Sequence, residues 1–179
     1  MHRVSRILGL LIVVFSSSVR AGEFKVDGIA IDVPGRFAGP ESAQSDAYTR
    51  TYAFTVRATS VLLPSTVLQV TEYDLATGAQ AGRSGQSDLS AQYLSQMLQG
   101  IGRRRTEYQQ SVAKAVRIAG YPGSVASWQG KANGVATNGK MFCIATQSTL
   151  VFFHVMGGGS VPNADMAAAI QAIEGARTY

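Results

Sequence analysis

One cysteine and one histidine are spaced so that they could form a catalytic dyad. Cys143 is the only cysteine, so no intrachain disulfide can form, and His154 is the only histidine beyond the first few residues. A two-residue turn at residues 147–148 would place both side chains diagonally on one face of neighbouring strands. A nucleophilic thiolate needs an exposed, electropositive setting, whereas Cys143 lies among apolar residues. The sequence therefore favours a buried cysteine over a reactive one.

Serine chemistry is supported only by weak motifs. Ser111 and Lys114 match the Ser-x-x-Lys spacing of penicillin-recognising enzymes, but the surrounding residues predict a strand where those enzymes need a helix. Ser84 and Ser124 do not fit the Gly-x-Ser-x-Gly elbow of α/β-hydrolases. A thiol or serine hydrolase is therefore the lesser alternative, and we expect no catalytic residue and a protein that is not an enzyme.

Two other patterns could hold an ion. Glu72 and Asp74 project from one face of a predicted strand, but calcium takes about six or more oxygen ligands and two carboxylates are too few. Residues 157–160 (GGGS) precede a predicted helix, where backbone amides could hold an anion, yet no P-loop lysine follows them. We interpret these features as a solvated strand end and a turn, and we expect no metal and no other cofactor.

Three consecutive arginines are the strongest candidate for a binding site. Arg103, Arg104 and Arg105 follow a predicted helix, where cations complement the helix dipole. They could also bind a phosphate, an anionic lipid head group or an acidic protein. Trp128, the only tryptophan, and Tyr121 could add aromatic contacts, although core packing is favoured for Trp128. We therefore predict that the three arginines bind a partner.

The first half of the chain predicts strands followed by a helix. Residues 35–46 have the composition of a loop and residues 79–86 that of a flexible connection. Periodicity predicts the regular elements between them, which are strands at 24–33 (one strand or a pair), 48–56 and 67–74 and a helix at 89–101 capped by Ser87 or Asp88.

The second half predicts a meander of strands and a final helix. The predicted strands lie at 112–118, 124–132, 135 or 140–147, and 149–156, and the helix runs from about Pro162 and Asn163 to Gly175. Both Asn133-Gly134 and Asn138-Gly139 could form the hairpin turn, so the register between them is open. The last two strands are apolar on both faces, which indicates a sheet that is covered on both sides.

These elements predict an α+β fold, in which an antiparallel sheet has helices on both faces. The order of segments resembles the PsbP-like α/β/α sandwich superfamily, through residues 28–34 (GIAIDVP), 68–74 (LQVTEYD) and 118–123 (IAGYPG). That superfamily includes an extrinsic subunit of photosystem II, a Ran-binding import factor and many exported bacterial proteins. It has no shared catalytic residues, so the resemblance implies a fold and lowers the expectation of an enzyme.

The first 21 residues have the pattern of a cleaved signal peptide. Charged residues precede a short apolar run, and the segment ends in small residues near Ala21. About ten apolar residues are too few for a transmembrane anchor. Removing Arg3, Arg6 and Arg20 with this segment lowers the formal net charge from +5 to +2, which argues against nucleic acid as a partner. We expect a periplasmic or secreted protein with a single domain at residues 22–179.

The sequence leaves two binding functions open. The first is binding of a protein partner or an envelope component through exposed loops, and the alternative is a carrier of a small molecule or a metal.

Overall fold

The computed structural model describes residues 22–44, 47–56, 65–75 and 86–179. The predicted signal peptide and most of the predicted connection at 79–86 lie outside the described residues, and so do the side chains that were predicted to cap the first helix. The elements in chain order are β1 (Glu23–Val26), β2 (Ile29–Asp32), β3 (Ala38–Gln44), β4 (Thr49–Val56), β5 (Thr66–Asp74), α1 (Gln86–Gly102), β6 (Thr106–Gln110), β7 (Lys114–Ile118), β8 (Tyr121–Ala132), β9 (Val135–Ala145), β10 (Thr149–Gly158), α2 (Ala164–Glu174) and β11 (Arg177–Thr178).

The strands form two antiparallel sheets. The larger has eight strands, in the order β3-β4-β5-β10-β9-β8-β6, and β7 pairs with the other end of β8. The smaller has three strands in the order β1-β2-β11. The long strands β8, β9 and β10 are neighbours in the larger sheet, and side chains of all three contribute to both of its faces.

Alternation along the central strands creates two separate cores. Val151, Phe153 and Val155 of β10 pack with β1, β2 and α2, whereas Leu150 and Phe152 pack with α1 on the other face. The prediction that the last two long strands are apolar and covered on both faces is confirmed. The predicted two-residue turn at 147–148 is confirmed as well, because Ala145 pairs with Leu150. A fully buried aromatic or aliphatic side chain stabilises the fold by roughly 1.5–3 kcal/mol, so both cores contribute substantially.

The predicted α/β/α sandwich, with helices covering both faces, is wrong. The described residues form eleven strands and only two helices, so the fold is mostly antiparallel sheet. One face of the larger sheet is covered largely by the smaller sheet, which places Val26, Ile29 and Ile31 in the core beside α2. The pattern of residues 24–33 predicts strands but does not show that they form a second sheet, and the short β11 has no recognisable pattern.

Several local predictions are confirmed. Asn133 and Gly134 form the tight turn between β8 and β9, with φ angles of +50° and +79°. Asn163 caps α2 by accepting a hydrogen bond from the backbone N–H of Met166, and Gly175 ends the helix. By contrast, the prediction of a loop at 35–46 is wrong, because that segment contains the whole strand β3. No helix within the described ranges is both long and apolar enough to cross a membrane.

Candidate functional site

The three arginines lie at the junction between α1 and β6. The chain leaves the helix in a tight turn, in which the backbone N–H of Arg104 donates to the carbonyl of Ile101 at 3.2 Å and that of Arg105 to the carbonyl of Gly102 at 3.1 Å. Arg103 and Arg104 are exposed, whereas Arg105 is partly buried. The predicted cluster is therefore split into two exposed guanidinium groups and one that packs against the protein.

Arg105 is held by contacts that fix its orientation. Its guanidinium carbon lies 4.3 Å from the ring centre of Trp128, and its Nη1 donates to the carbonyl of Ile101 at 3.2 Å. A guanidinium over an indole face is attracted by the negative electrostatic potential of the ring. Burial lowers the pKa of Arg105 from its ordinary value, but the group stays charged at neutral pH. Arg105 thus supplies a positioned positive charge.

Trp128 also connects Arg105 to a buried histidine. Its indole Nε1 donates to Nε2 of His154 at 3.0 Å. Because an indole nitrogen can only donate, Nε2 of His154 must be the unprotonated nitrogen and Nδ1 must carry the proton. Burial and, to a lesser extent, the charge of Arg105 lower the pKa of His154 to about 4. His154 is therefore a neutral N–H donor at physiological pH.

A cavity of about 390 Å³ lies beside these groups, between the C-terminal half of α1 and the sheet. This volume is within the range of about 300–1,000 Å³ that is usual for small-molecule sites. Apolar and polar side chains both line it: Met97, Ile101, Met141, Phe152 and Met156, together with Gln69, Thr71, Gln96, Arg104, Arg105 and His154. Three of the five methionines of the chain contribute, and their flexible thioethers adapt to ligands of different shape.

The charge of this cavity is positive. None of the described residues that line it is an Asp or a Glu, whereas Arg104 and Arg105 both lie at it. The ion pairs found in the described ranges do not include Arg103, Arg104 or Arg105. We call this apolar cavity with its two arginines the α1 cavity; its lining is chemically complementary to an anion that also has an apolar part.

Cys143 is not available for chemistry in the folded protein. Its side chain is fully buried on the same sheet face as His154, and burial raises the pKa of its thiol. The predicted burial of Cys143 is confirmed. His154 accepts its hydrogen bond from Trp128, so its free lone pair is already used and cannot act as a base toward the cysteine.

We expect Cys143 to resist alkylation. In the folded protein at pH 8, iodoacetamide should leave the thiol unmodified for hours, while the urea-unfolded protein should react within minutes, because only a thiolate that reaches solvent is nucleophilic. Mass spectrometry of the two samples measures the difference. Rapid labelling of the folded protein would show that the cysteine is accessible and would revive the thiol-enzyme alternative.

The other candidates from the sequence do not assemble into a site. Ser111 lies outside the helices, in the segment between β6 and β7, which removes the context of the Ser-x-x-Lys motif. Glu72 accepts a hydrogen bond from the Tyr52 hydroxyl at 3.2 Å. Across the ranges that the structure describes, no group of three or more His, Cys, Asp or Glu residues is placed to hold a metal ion. In the segment 157–160, which was considered for anion binding, Gly157 lies against the side chain of Met166.

The sequence did not indicate the cavity itself. Trp128 was expected in the core, and it is indeed buried, but its contacts with Arg105 and His154 join residues that are far apart in the chain. The only sequence signal was that the chain has one tryptophan, one histidine after residue 21 and one cluster of three arginines.

No protein-family model and no curated protein matches the chain. Three solved structures resemble it at low identity. The protein of unknown function PA94 from Pseudomonas aeruginosa is 11% identical, with a TM-score of 0.49, over 86% of this chain and 93% of its own. A protein from Bacteroides thetaiotaomicron is 9% identical, with a TM-score of 0.48, over 89% of this chain and 49% of its own, so the present chain spans about half of it.

The third structure is LpqN, which is involved in cell envelope biogenesis of Mycobacterium tuberculosis. It is 14% identical, with a TM-score of 0.45, over 84% of this chain and 83% of its own. These identities and TM-scores do not transfer a function to the present chain. None of the three descriptions names a PsbP-like protein.

Proposed function

We propose that this protein binds a small amphipathic anion, namely an apolar chain that ends in a carboxylate or a similar group, in the α1 cavity. The observation that carries the proposal is the combination of an apolar, methionine-rich lining with two arginines and no carboxylate among the described lining residues. A cavity with only an apolar lining would not distinguish an anionic ligand from a neutral one. Here the guanidinium of Arg104, which forms no ion pair with any described residue, provides the selection.

Each polar group of the cavity has a distinct part in this binding. The exposed Arg104 is free to form a two-pronged hydrogen bond with the carboxylate of the ligand. Arg105 is held on Trp128 and contributes its charge from a fixed position. His154 is neutral, so its Nδ1–H can donate a hydrogen bond without the cost of burying another cation.

Removal of the Arg104 charge tests the proposal. We expect decanoate to bind the protein and decanol, which has the same chain length without the charge, to bind more weakly by about tenfold, because a charged hydrogen bond contributes roughly 1.5–3 kcal/mol. The variant Arg104→Gln should lose this discrimination. Isothermal titration calorimetry measures each affinity, and the intrinsic fluorescence of Trp128 provides a second readout beside the cavity.

The matched control is Arg103→Gln, because Arg103 is equally exposed but does not line the cavity. It should bind decanoate as the parent protein does. Equal losses in the two variants would mean that the arginines act only as general surface charge. Equal affinity for decanoate and decanol would refute the proposed selection of an anion.

Binding of a macromolecular partner through the three arginines stays a prediction, because contacts within one chain do not test it. Of the two binding functions that the sequence left open, the α1 cavity supports the carrier of a small molecule. A metal carrier has no such support, since the ranges the structure describes bring together no set of metal ligands.

We also propose that the protein is exported and that residues 1–21 are removed. The charged start, the apolar run and the small residues near Ala21 support this proposal. Intact-mass measurement of the protein purified from its native host should give a chain that begins at Gly22, while cytoplasmic expression of the same gene should retain Arg3, Arg6 and Arg20. Recovery of the full-length chain from the native host would contradict the export proposal.

A further inference from the structure

A second cavity, of about 430 Å³, lies on the opposite face of the larger sheet, next to α2. Its floor consists of side chains of β6, β8 and β9, and its wall consists of residues of the loop before α2 and of α2 itself. The lining is Gln109, Gln110, Ser111, Ser127, Gln129, Asn138, Lys140 and Ser160 on the polar side and Pro162, Met166 and Ile170 on the apolar side, with Trp128 and Gly139 also touching it. We call it the α2 cavity.

Asn138, which lines this cavity, has an enclosed hydrogen-bond acceptor that is held in place and has no partner among the described residues. The Nδ2 of Asn138 donates to the carbonyls of Gly159 at 2.9 Å and of Val161 at 3.0 Å, which fixes the plane of the amide. The Oδ1 of the same amide is the only enclosed side-chain oxygen or nitrogen without a hydrogen-bond partner in the described part of the chain. The Asn138 residue is only 4% exposed. A buried acceptor of this kind is satisfied when a donor from a ligand or a water reaches it.

The neighbouring amides offer further paired donors and acceptors. The Nε2 of Gln129 donates to Oε1 of Gln109 at 3.0 Å, which leaves the other amide group of each residue without a partner in the described ranges. One of these groups is a donor and the other is an acceptor. A hydroxyl group both donates and accepts, so a ligand with several neighbouring hydroxyls matches this arrangement better than a ligand with one kind of group.

The charge of the α2 cavity points to a neutral ligand. Lys140 is the only charged residue in the described lining, and its Nζ lies 2.8 Å from a carboxylate oxygen of Glu174. The pair leaves little net charge for an anion or a cation to recognise. The part of the floor formed by β8 and β9 is the face of two paired strands, so an extended peptide could not add to it there through a ladder of backbone hydrogen bonds.

We infer that the α2 cavity is a binding site for a neutral carbohydrate. The sugar hydroxyls pair with the amide groups of Asn138, Gln109 and Gln129. The apolar C–H face of the ring packs on the wall that Met166 and Ile170 provide. This site is separate from the α1 cavity, and it does not depend on the proposed binding of an amphipathic anion.

The test uses two neutral trisaccharides, maltotriose and triacetylchitotriose, in an NMR titration of the 15N-labelled protein. Binding should produce saturable shifts at residues 127–129 and 138–140 and at the side-chain amide of Asn138, whose Oδ1 gains a donor. In the double variant Gln109→Ala/Gln129→Ala the affinity should fall by about tenfold, because two hydrogen bonds to the ligand are lost. Both of these residues are exposed, so the variant should keep its fold.

Arg104→Gln is the matched control, because it changes the other cavity and should leave sugar binding unchanged. The double variant should in turn bind decanoate as the parent does, so failure of either site can be distinguished from failure of the other. Absence of saturable shifts with both sugars, up to their solubility limits, would overturn the inference. So would sugar binding that the double variant leaves intact, or shifts that fall only on residues of the α1 cavity.

Discussion

Acidification is expected to remove about 3 kcal/mol from the free energy of unfolding through His154 alone. Burial holds the pKa of this histidine at about 4 in the folded protein, against an ordinary value of 6.5 that applies to the unfolded chain. As the pH falls from 6.5 toward 4, the histidine therefore becomes protonated in the unfolded state while it stays neutral in the folded state, which lowers the free energy of unfolding. The stability that His154 contributes is complete above about pH 6.5, is lost as the pH falls from 6.5 to 4, and changes no further below pH 4.

The neighbours of the imidazole ring explain why protonation of His154 is unfavourable in the folded protein. Protonated Nε2 would carry a hydrogen that points at the indole N–H of Trp128, so a hydrogen bond at 3.0 Å would become a contact between two donors. The new charge would also be buried close to the guanidinium of Arg105. Both effects act against the charged form.

Urea unfolding at pH 7 and at pH 4 measures this loss, and the variant His154→Gln isolates it. Glutamine can still accept the hydrogen bond from Trp128 but does not titrate. Between the two pH values, the free energy of unfolding should therefore fall by about 3 kcal/mol less in the variant than in the parent protein. Exposed carboxylates titrate in both proteins, and their effects cancel in the comparison. Equal losses in parent and variant would show that His154 is not the group responsible.

The second large effect is expected at Gly139, on which the position of Trp128 depends. A Cβ atom at residue 139 would lie 2.6 Å from three atoms of the indole ring, which is closer than real contacts allow. Gly139→Ala should therefore displace the ring and destabilise the protein by about 2–3 kcal/mol, as overpacking of a dense core does. Because Trp128 supports both Arg105 and His154, the same variant should also weaken decanoate binding.

Gly35→Ala is the matched control, since a Cβ added at that residue would have no atom within 4 Å and its backbone is not left-handed. It should change neither stability nor ligand binding. Thermal unfolding measures stability, and the emission of Trp128, the only tryptophan, should shift to longer wavelength in Gly139→Ala as the ring meets water. A Gly139→Ala protein as stable as the control, with unchanged emission, would contradict the described packing.

The central hairpin could be predicted from the sequence because its two strands are apolar at consecutive positions. Phe142 and Ile144 on one face and Cys143 on the other are all apolar, and that pattern requires cover on both sides. The start and the end of α2 were equally clear, since Asn163 and Gly175 are residues with specific roles at helix ends.

The edges of the sheet could not be read in this way. The strands β3 and β6 are edge strands whose residues face water, so their polar sequences, AGPESAQ and TEYQQ, resemble loops. The covering of one face by a small sheet was missed because β11 has only two residues and no periodicity. A fold class that depends on such elements is decided by tertiary pairing rather than by local pattern.

The candidate site was only partly predictable for a related reason. The arginine cluster was visible as three adjacent residues, but its division into Arg103 outside the cavity and Arg104 and Arg105 at its lining depends on where α1 ends. The contact between Trp128 and His154 depends on the register of β8, β9 and β10 together. No spacing in the sequence encodes either relationship.

Methyl NMR of the methionines tests the central claim, binding of an amphipathic anion in the α1 cavity, most directly. Met97, Met141 and Met156 line that cavity, while Met166 lies at the α2 cavity and serves as an internal control. With decanoate bound to protein that carries 13C-methyl methionine, we predict intermolecular NOEs from the acyl chain to the first three methyl groups and none to Met166. Contacts to Met166 alone, or a saturated complex without contacts to the other three, would contradict the account.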